Sequence, residues 1–152
     1  MNRFPTLNFP DFHHKLKEEN GLTSIWEPVR QSWLVLTPEE WVRQNLIRYL
    51  MEEMKYPVGL MQAESQVKVG KLKKRFDLVV MDKQLKPWLI CECKAHDIKI
   101  NKEAAFQAAN YNMTLQCPFL VLTNGLSHYC YQINFIEKTF HPLPGFPEYP
   151  AD

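Results

Sequence analysis

Lys74-Arg75-Phe76-Asp77-Leu78-Val79-Val80 and Leu89-Ile90-Cys91-Glu92-Cys93-Lys94-Ala95 are two runs joined by Asp82-Lys83-Gln84-Leu85-Lys86-Pro87. Val79-Val80 and Leu89-Ile90 are rich in branched side chains and the segment between them has turn composition, which predicts an antiparallel strand pair. Side chains alternate along a strand, so Glu92 and Lys94 project from one face while Cys91 and Cys93 project from the other. Pairing the start of the first strand with the end of the second brings Asp77 beside Glu92 and Lys94. Three charges then crowd the end of a buried sheet.

Burying charges costs roughly several kcal/mol unless they are paired or coordinate a metal. A divalent cation is one way to meet that cost. Aspartate and glutamate oxygens suit Mg²⁺, or Mn²⁺, which shares its shell with water and phosphate oxygens, and an adjacent lysine can hold an attacking water. The competing reading is a solvated strand end carrying a salt bridge. The spacing D-x(14)-E-x-K does not by itself choose between the two.

Asp77, Glu92 and Lys94 resemble the PD-(D/E)XK nuclease signature. Lys74-Arg75-Phe76-Asp77 with Glu92-Cys93-Lys94 looks like one branch of it, the N-terminal nuclease domain of the type I restriction enzyme motor (R) subunit and its small stand-alone relatives. Phe76 stands where the motif has proline, a loose position. The resemblance implies metal-dependent hydrolysis of phosphodiester bonds, with DNA as the expected substrate. Asp77, Glu92 and the backbone carbonyl of Cys93 would bind Mg²⁺, and Lys94 would position the hydroxide nucleophile and stabilise charge.

At 152 residues the chain reads as a single domain, residues 1–152, long enough for a core of two or three layers. Hydrophobic content of 45% and charged content of 23% are ordinary for a soluble globular protein. With 18 Lys and Arg against 17 Asp and Glu, the net charge of +1 means that any polyanion must be met by a local patch. No run approaches the ~20 apolar residues that cross a bilayer, and Met1-Asn2-Arg3-Phe4-Pro5 lacks a signal-peptide core, so the expectation is a cytoplasmic chain without a membrane partner. The four cysteines, at 91, 93, 117 and 130, show no C-x-x-C pairing and sit in apolar runs. Buried reduced thiols are expected, since a zinc site with His96 or His128 has the wrong spacing.

Residues 1–36 read as an arm and hairpin cover, 37–135 as the catalytic core and 136–152 as a Pro-rich tail. The arm, residues 1–12, carries Phe4, Leu7, Phe9 and Phe12 and is expected to lie across the surface without regular structure. Asn20-Gly21, between residues 15–19 and 22–26, predicts a two-residue type I′ hairpin. A short strand follows at Trp33-Leu34-Val35-Leu36. Thr37-Pro38-Glu39-Glu40 opens a helix expected to reach about Met54, with Trp41, Leu46, Tyr49, Leu50 and Met54 on its apolar face. Glu40 has two readings. It completes a capping box, or, as the resemblance implies, it supplies an acidic group from the first helix to the metal; Glu39 is free to take one of these roles.

Leu60 to Val69 predicts a strand with Met61, Ala63, Ser65 and Val67 sharing a face, and Gly70 makes the turn. Lys68, Lys71, Lys73, Lys74 and Arg75 gather around that turn. They form a solvated turn or, on the nuclease reading, the place where a phosphate backbone enters. Asn101 predicts an N-cap for a helix to about Gln116, whose Ala104, Ala105, Ala108 and Ala109 allow close packing on the sheet. Gln107 and Tyr111 are four apart and share a face of that helix. From the resemblance, Gln107 orients water or phosphate and Tyr111 contacts nucleic acid. Residues 118–123 predict a fully buried strand, Asn124-Gly125 a turn, and residues 128–135 a peripheral strand. Pro142 to Asp152 holds four of the 11 prolines and reads as an extended tail.

The order helix, three strands, helix, two strands predicts an α/β fold, a restriction-endonuclease-like mixed β-sheet flanked by helices, with an N-terminal β-hairpin extension. There is no G-x-x-x-x-G-K-[ST] phosphate loop, so a motor is expected to be absent or supplied by a separate helicase or specificity partner. Two other readings stay open. One is a binding module for nucleic acid or a partner that has lost useful catalysis. The other is a structure-selective repair nuclease of the Holliday-junction-resolvase type, which would require a homodimer.

Overall fold

A computed structural model of the chain describes residues 4–151; residues 1–3 of the expected arm and residue 152 of the expected tail lie outside the described residues. Asn20 and Gly21 take φ angles of 54° and 78°, the two positive values that a type I′ turn demands. They join β1 (Leu16–Glu19) to β2 (Leu22–Glu27), and β3 (Ser32–Val35) pairs with β2 to complete a three-stranded antiparallel sheet. Thr37 opens α1 (Pro38–Arg48), its hydroxyl oxygen accepting the Glu40 N–H at 3.1 Å. A π-helical turn at Tyr49–Glu53 carries the helical chain to Met54, as expected.

The second sheet is built from β4 (Met61–Val69), β5 (Leu72–Met81), β6 (Pro87–Cys93), β7 (Phe119–Thr123), β8 (His128–Asn134) and β9 (Thr139–Leu143), in that spatial order. Its neighbours run antiparallel except β6 and β7, which are parallel because α2 (Lys102–Asn112) crosses between them. Asn101 caps α2, its Oδ1 accepting the Ala104 N–H at 2.8 Å. This is the restriction-endonuclease-like α/β arrangement that the element order predicts.

Two apolar layers hold the sheet. On one face Ile25, Trp41, Val42, Leu46, Ile47 and Leu50 pack on Leu78, Val80, Leu89, Cys91 and Cys93. On the other, Ala105 and Ala109 of α2 lie on Phe76, Val79, Ile90, Leu120 and Leu122. Each fully buried leucine or isoleucine in these layers contributes about 1.5–3 kcal/mol by leaving water. The four cysteines are unpaired and buried, as expected. Among the described residues no helix is long and apolar enough to cross a membrane.

The structure corrects two expectations. Met61 and Val67 do not share a face: Met61 lies in the α1 layer and Val67 in the α2 layer. Phe76 and Leu78 divide in the same way, so the β4–β5 pair rolls over between them. Glu64, which falls opposite Asp77 in the register, takes a left-handed φ of 49° at that point.

The tail is the second correction. β9 adds an edge strand, where Pro142 is tolerated because its missing N–H faces no neighbour. Beyond it the Tyr149 hydroxyl donates to Met81 O at 2.8 Å, and the Tyr56 hydroxyl donates to Pro147 O. The folded core therefore runs past 135. The strand expected from Lys74 begins two residues earlier, at Leu72.

The N-terminal arm lies across the domain. Leu7 is buried, Trp41 Nε1 donates to Pro5 O at 2.9 Å and the Asn8 N–H donates to Gly125 O at 2.7 Å. His128 fastens the same contact, with Nε2 donating to Asn8 O at 2.8 Å and Nδ1 accepting from the Thr123 hydroxyl at 2.7 Å.

Candidate active site

Leu78 pairs with Cys91, which sets Asp77 opposite Glu92 where the β5–β6 ladder ends. Asp77 Oδ2 accepts the Cys93 N–H at 2.7 Å, so the carboxylate takes over the next position of that ladder. On the other side of β6, the Lys94 N–H donates to Thr123 O at 2.8 Å. Backbone pairing thus fixes Lys94 while its ammonium stays exposed. Asp77, Glu92, Cys93 and Lys94 line one cavity of about 420 Å³, together with Glu39 from α1, Glu64 from β4, and Lys74, Arg75 and Phe76 from β5.

Burial pushes the Asp77 carboxyl above the usual aspartate value, against the pull of the Cys93 N–H and the Arg43 guanidinium, and nearby Glu39 and Glu92 push the same way. Arg43 Nη1 stands 3.6 Å from Asp77 Oδ1. Glu92 Oε1 is paired at 2.5 Å with Lys74 Nζ, which also lies over the rings of Tyr111 at 4.8 Å and Phe76 at 5.1 Å.

The donor set suits a hard divalent cation: carboxylates of Asp77 and Glu92, the Cys93 carbonyl, and Glu39 or Glu64 on the same wall. Among the described residues no three metal-ligating side chains are already gathered at ligand spacing. The two central carboxylates are instead engaged by Arg43 and Lys74. The residues fit Mg²⁺ in chemistry; an ion seated on Glu92 displaces the close Lys74 pair, whereas Arg43 stands farther off, at 3.6 Å from Asp77.

Glu40 lies on α1 with its carboxylate held by neighbouring side chains of the same helix. Its carboxylate accepts Arg43 Nε and Nη2, both at 2.9 Å, and Gln44 Nε2 at 3.0 Å, and it is absent from the cavity wall. Glu39 is the acidic residue of α1 on that wall. Gln107 is exposed on α2 and also stays outside the cavity. Tyr111, 48% exposed, enters through its contact with Lys74.

The basic residues divide rather than forming one patch. Lys73 pairs with Lys68 and Arg75 with Gln66 across the hairpin, so Lys73 and Arg75 share one face while Lys74 turns to the other. Lys71, Lys73 and Arg75 are exposed. Like charges facing each other at Lys68 and Lys73 are unfavourable until an anion joins them.

Sequence reading missed Arg43 and Glu64 as parts of the site. Glu40, Arg43 and Gln44 are three and four apart on a capped helix, a spacing that places them together; nothing in the sequence marks Glu64. A family model described as type I restriction enzyme R protein N terminus (HSDR_N) matches residues 38–147, which covers every cavity residue named above and leaves β1–β3 outside. No curated protein matches the chain. The chain belongs to the type I restriction enzyme R protein N-terminus family.

Proposed function

We propose that the protein is a Mg²⁺-dependent nuclease that hydrolyses phosphodiester bonds in DNA, with Mn²⁺ as a substitute ion. The observation that carries this reading is the convergence of Asp77, Glu92 and Lys94 on one cavity, with Asp77 tied to the backbone of Cys93. Asp77, Glu92 and the Cys93 carbonyl are the proposed ligands, with Glu39 beside them. A bound Mg²⁺ supplies Lewis-acid polarisation of the scissile phosphate and acidifies water. Lys94 holds the attacking water and offsets charge on the phosphate as it develops. Lys71, Lys73 and Arg75 meet the phosphate backbone outside the cavity, and Lys74 and Tyr111 meet it from the α2 side. No phosphate loop occurs in the 152 residues, and the reading assigns them hydrolysis. Buried thiols with a nucleic-acid substrate accord with a cytoplasmic location.

The test is incubation of supercoiled plasmid, linear duplex, single strands and a four-way junction with Mg²⁺ or Mn²⁺, comparing wild type with Lys94→Ala. Metal-dependent cutting by wild type alone is expected, and the preferred substrate names the class. Preference for the junction, with a dimer in solution, would move the assignment to the resolvase type.

One observation favours a second reading, a binding module without catalysis: Lys74 neutralises Glu92, and among the described residues no ligand set is gathered. Binding of Mg²⁺ to the folded state alone raises the melting temperature by mass action. A melting temperature that ignores Mg²⁺, with no cutting of any substrate, would select the binding module.

A further inference from the structure

Six side chains close a ring around one edge of the cavity. Glu27 accepts Arg30 Nε and Nη2, both at 2.7 Å, and Gln44 Nε2 at 2.9 Å. Gln44 also reaches Glu40 at 3.0 Å, and Glu40 binds Arg43 through two bonds of 2.9 Å. Arg43 Nη1 donates to Glu64 at 3.2 Å, and Glu64 meets Arg30 at 3.5 Å, which completes the circuit. Glu27, Glu40, Arg43 and Gln44 are buried, Glu27 and Gln44 fully. A buried ion-pair network is weak grounds for stability, because apolar replacements often hold a fold as well. Its geometric effect is plainer. The planar guanidinium of Arg43 has its Nε and Nη2 committed to Glu40, so its orientation is set, and only Nη1 faces Glu64 and Asp77. Glu64 adopts a backbone conformation that glutamate rarely takes, φ of 49°, and this directs its carboxylate to both arginines. Three carboxylates against two guanidinium groups leave the ring with excess negative charge beside the cavity.

We propose that Arg43 is a positioning residue for Asp77, and that the N-terminal sheet belongs to the same device through Glu27 and Arg30. With Oδ2 on the Cys93 N–H and Oδ1 facing Arg43, the Asp77 carboxylate is oriented at both oxygens. Glu27 and Arg30 lie outside the residues that the family model matches, yet they hold the far side of the ring. The three-stranded sheet therefore does more than cover α1: it fixes the side chains that aim the metal-binding aspartate. This rests on the nuclease reading.

The test uses the full chain with Arg43→Lys, which keeps the charge and loses the fork, and Arg30→Lys, at an exposed site in the ring's outer wall, as the variant that keeps the test alive should the first not fold. Two quantities are read: Mg²⁺ affinity by calorimetry with MgCl₂ alone, and kcat against KM on the preferred DNA. Each folded variant is expected to bind Mg²⁺ about 10- to 100-fold more weakly, the range for residues that orient a metal ligand, with kcat lowered and KM for DNA unchanged. A folded variant with wild-type Mg²⁺ affinity and kcat, whatever its melting temperature, would overturn the positioning role while leaving the nuclease reading intact. A wild type that neither binds Mg²⁺ nor cuts would remove both.

Discussion

Lys74 Nζ sits 2.5 Å from Glu92 Oε1 and 4.8 Å from the centre of the Tyr111 ring. The lysine thus occupies the charge of a proposed metal ligand, and it is among the residues proposed to meet phosphate. A phosphate that draws Lys74 away leaves Glu92 available to a cation, and a cation on Glu92 releases Lys74. The two ligands are then coupled in both directions.

Lys74→Met is accordingly expected to tighten Mg²⁺ binding in the absence of DNA by roughly two- to five-fold, the scale of a partly exposed ion pair. DNA binding without metal should weaken in the same variant. Calorimetry and a gel-shift series check both; weaker Mg²⁺ binding in Lys74→Met would rule out the competition.

Asp77 should trade stability for function. Burial raises its carboxyl above the ordinary aspartate value of 3.8, so the fold favours the protonated form. The stabilisation from this group is complete below the unfolded value and is lost as pH rises through the raised folded one. Asp77→Asn, which keeps an acceptor for the Cys93 N–H, is therefore expected to melt above wild type at about pH 7. The gap should close by about pH 3.5, while cleavage is absent throughout. Melting curves across this range decide it, and a lower melting temperature for Asp77→Asn at neutral pH would count against the burial account.

Gly125 combines φ of 85° with a Cβ position 2.9 Å from both methyls of Leu7. Gly125→Ala is expected to cost about 1–3 kcal/mol, from the left-handed backbone and from displacement of the arm. Urea unfolding measures this. A neutral substitution would mean that the arm does not hold the β7–β8 turn as described.

All four thiols should resist alkylation in the folded protein. Burial pushes Cys117 and Cys130 up to about 12 and raises Cys91 and Cys93 well above the usual thiol value. Iodoacetamide at about pH 8 is expected to leave the native chain unlabelled and to modify all four positions after denaturation, since the thiolate is the reactive form. Rapid native labelling at Cys93 would show that the cavity floor opens.

The parts of the fold that the sequence made legible are those with local chemistry. Thr37-Pro38-Glu39-Glu40 starts a helix because the cap and the fixed φ of proline act within one turn, and Asn20-Gly21 turns because both residues tolerate positive φ. The Asp77–Glu92–Lys94 grouping was legible because strand periodicity and one hairpin register suffice to assemble it. The β9 strand was hidden by Pro142, which is compatible with a strand only at an edge, and edges are set by topology. The roll of the β4–β5 pair at Glu64 has no sequence mark, because glutamate is not a residue that announces a left-handed backbone. The placement of Glu40 turned on Glu27 and Glu64, residues far along the chain that draw Arg43 and Gln44 into one network. Gln107 shares a helix face with Tyr111, but only packing decides that this face looks outward.

The most direct measurement is the rate of supercoiled-plasmid nicking as MgCl₂ is raised, for wild type and Asp77→Asn side by side, with Mg²⁺ binding followed by calorimetry on the same preparations. Saturable Mg²⁺-dependent nicking by wild type, with both nicking and Mg²⁺ binding lost in a well-folded Asp77→Asn, is the expected result. Nicking by Asp77→Asn at the wild-type rate would contradict the assignment of this cavity as the catalytic centre.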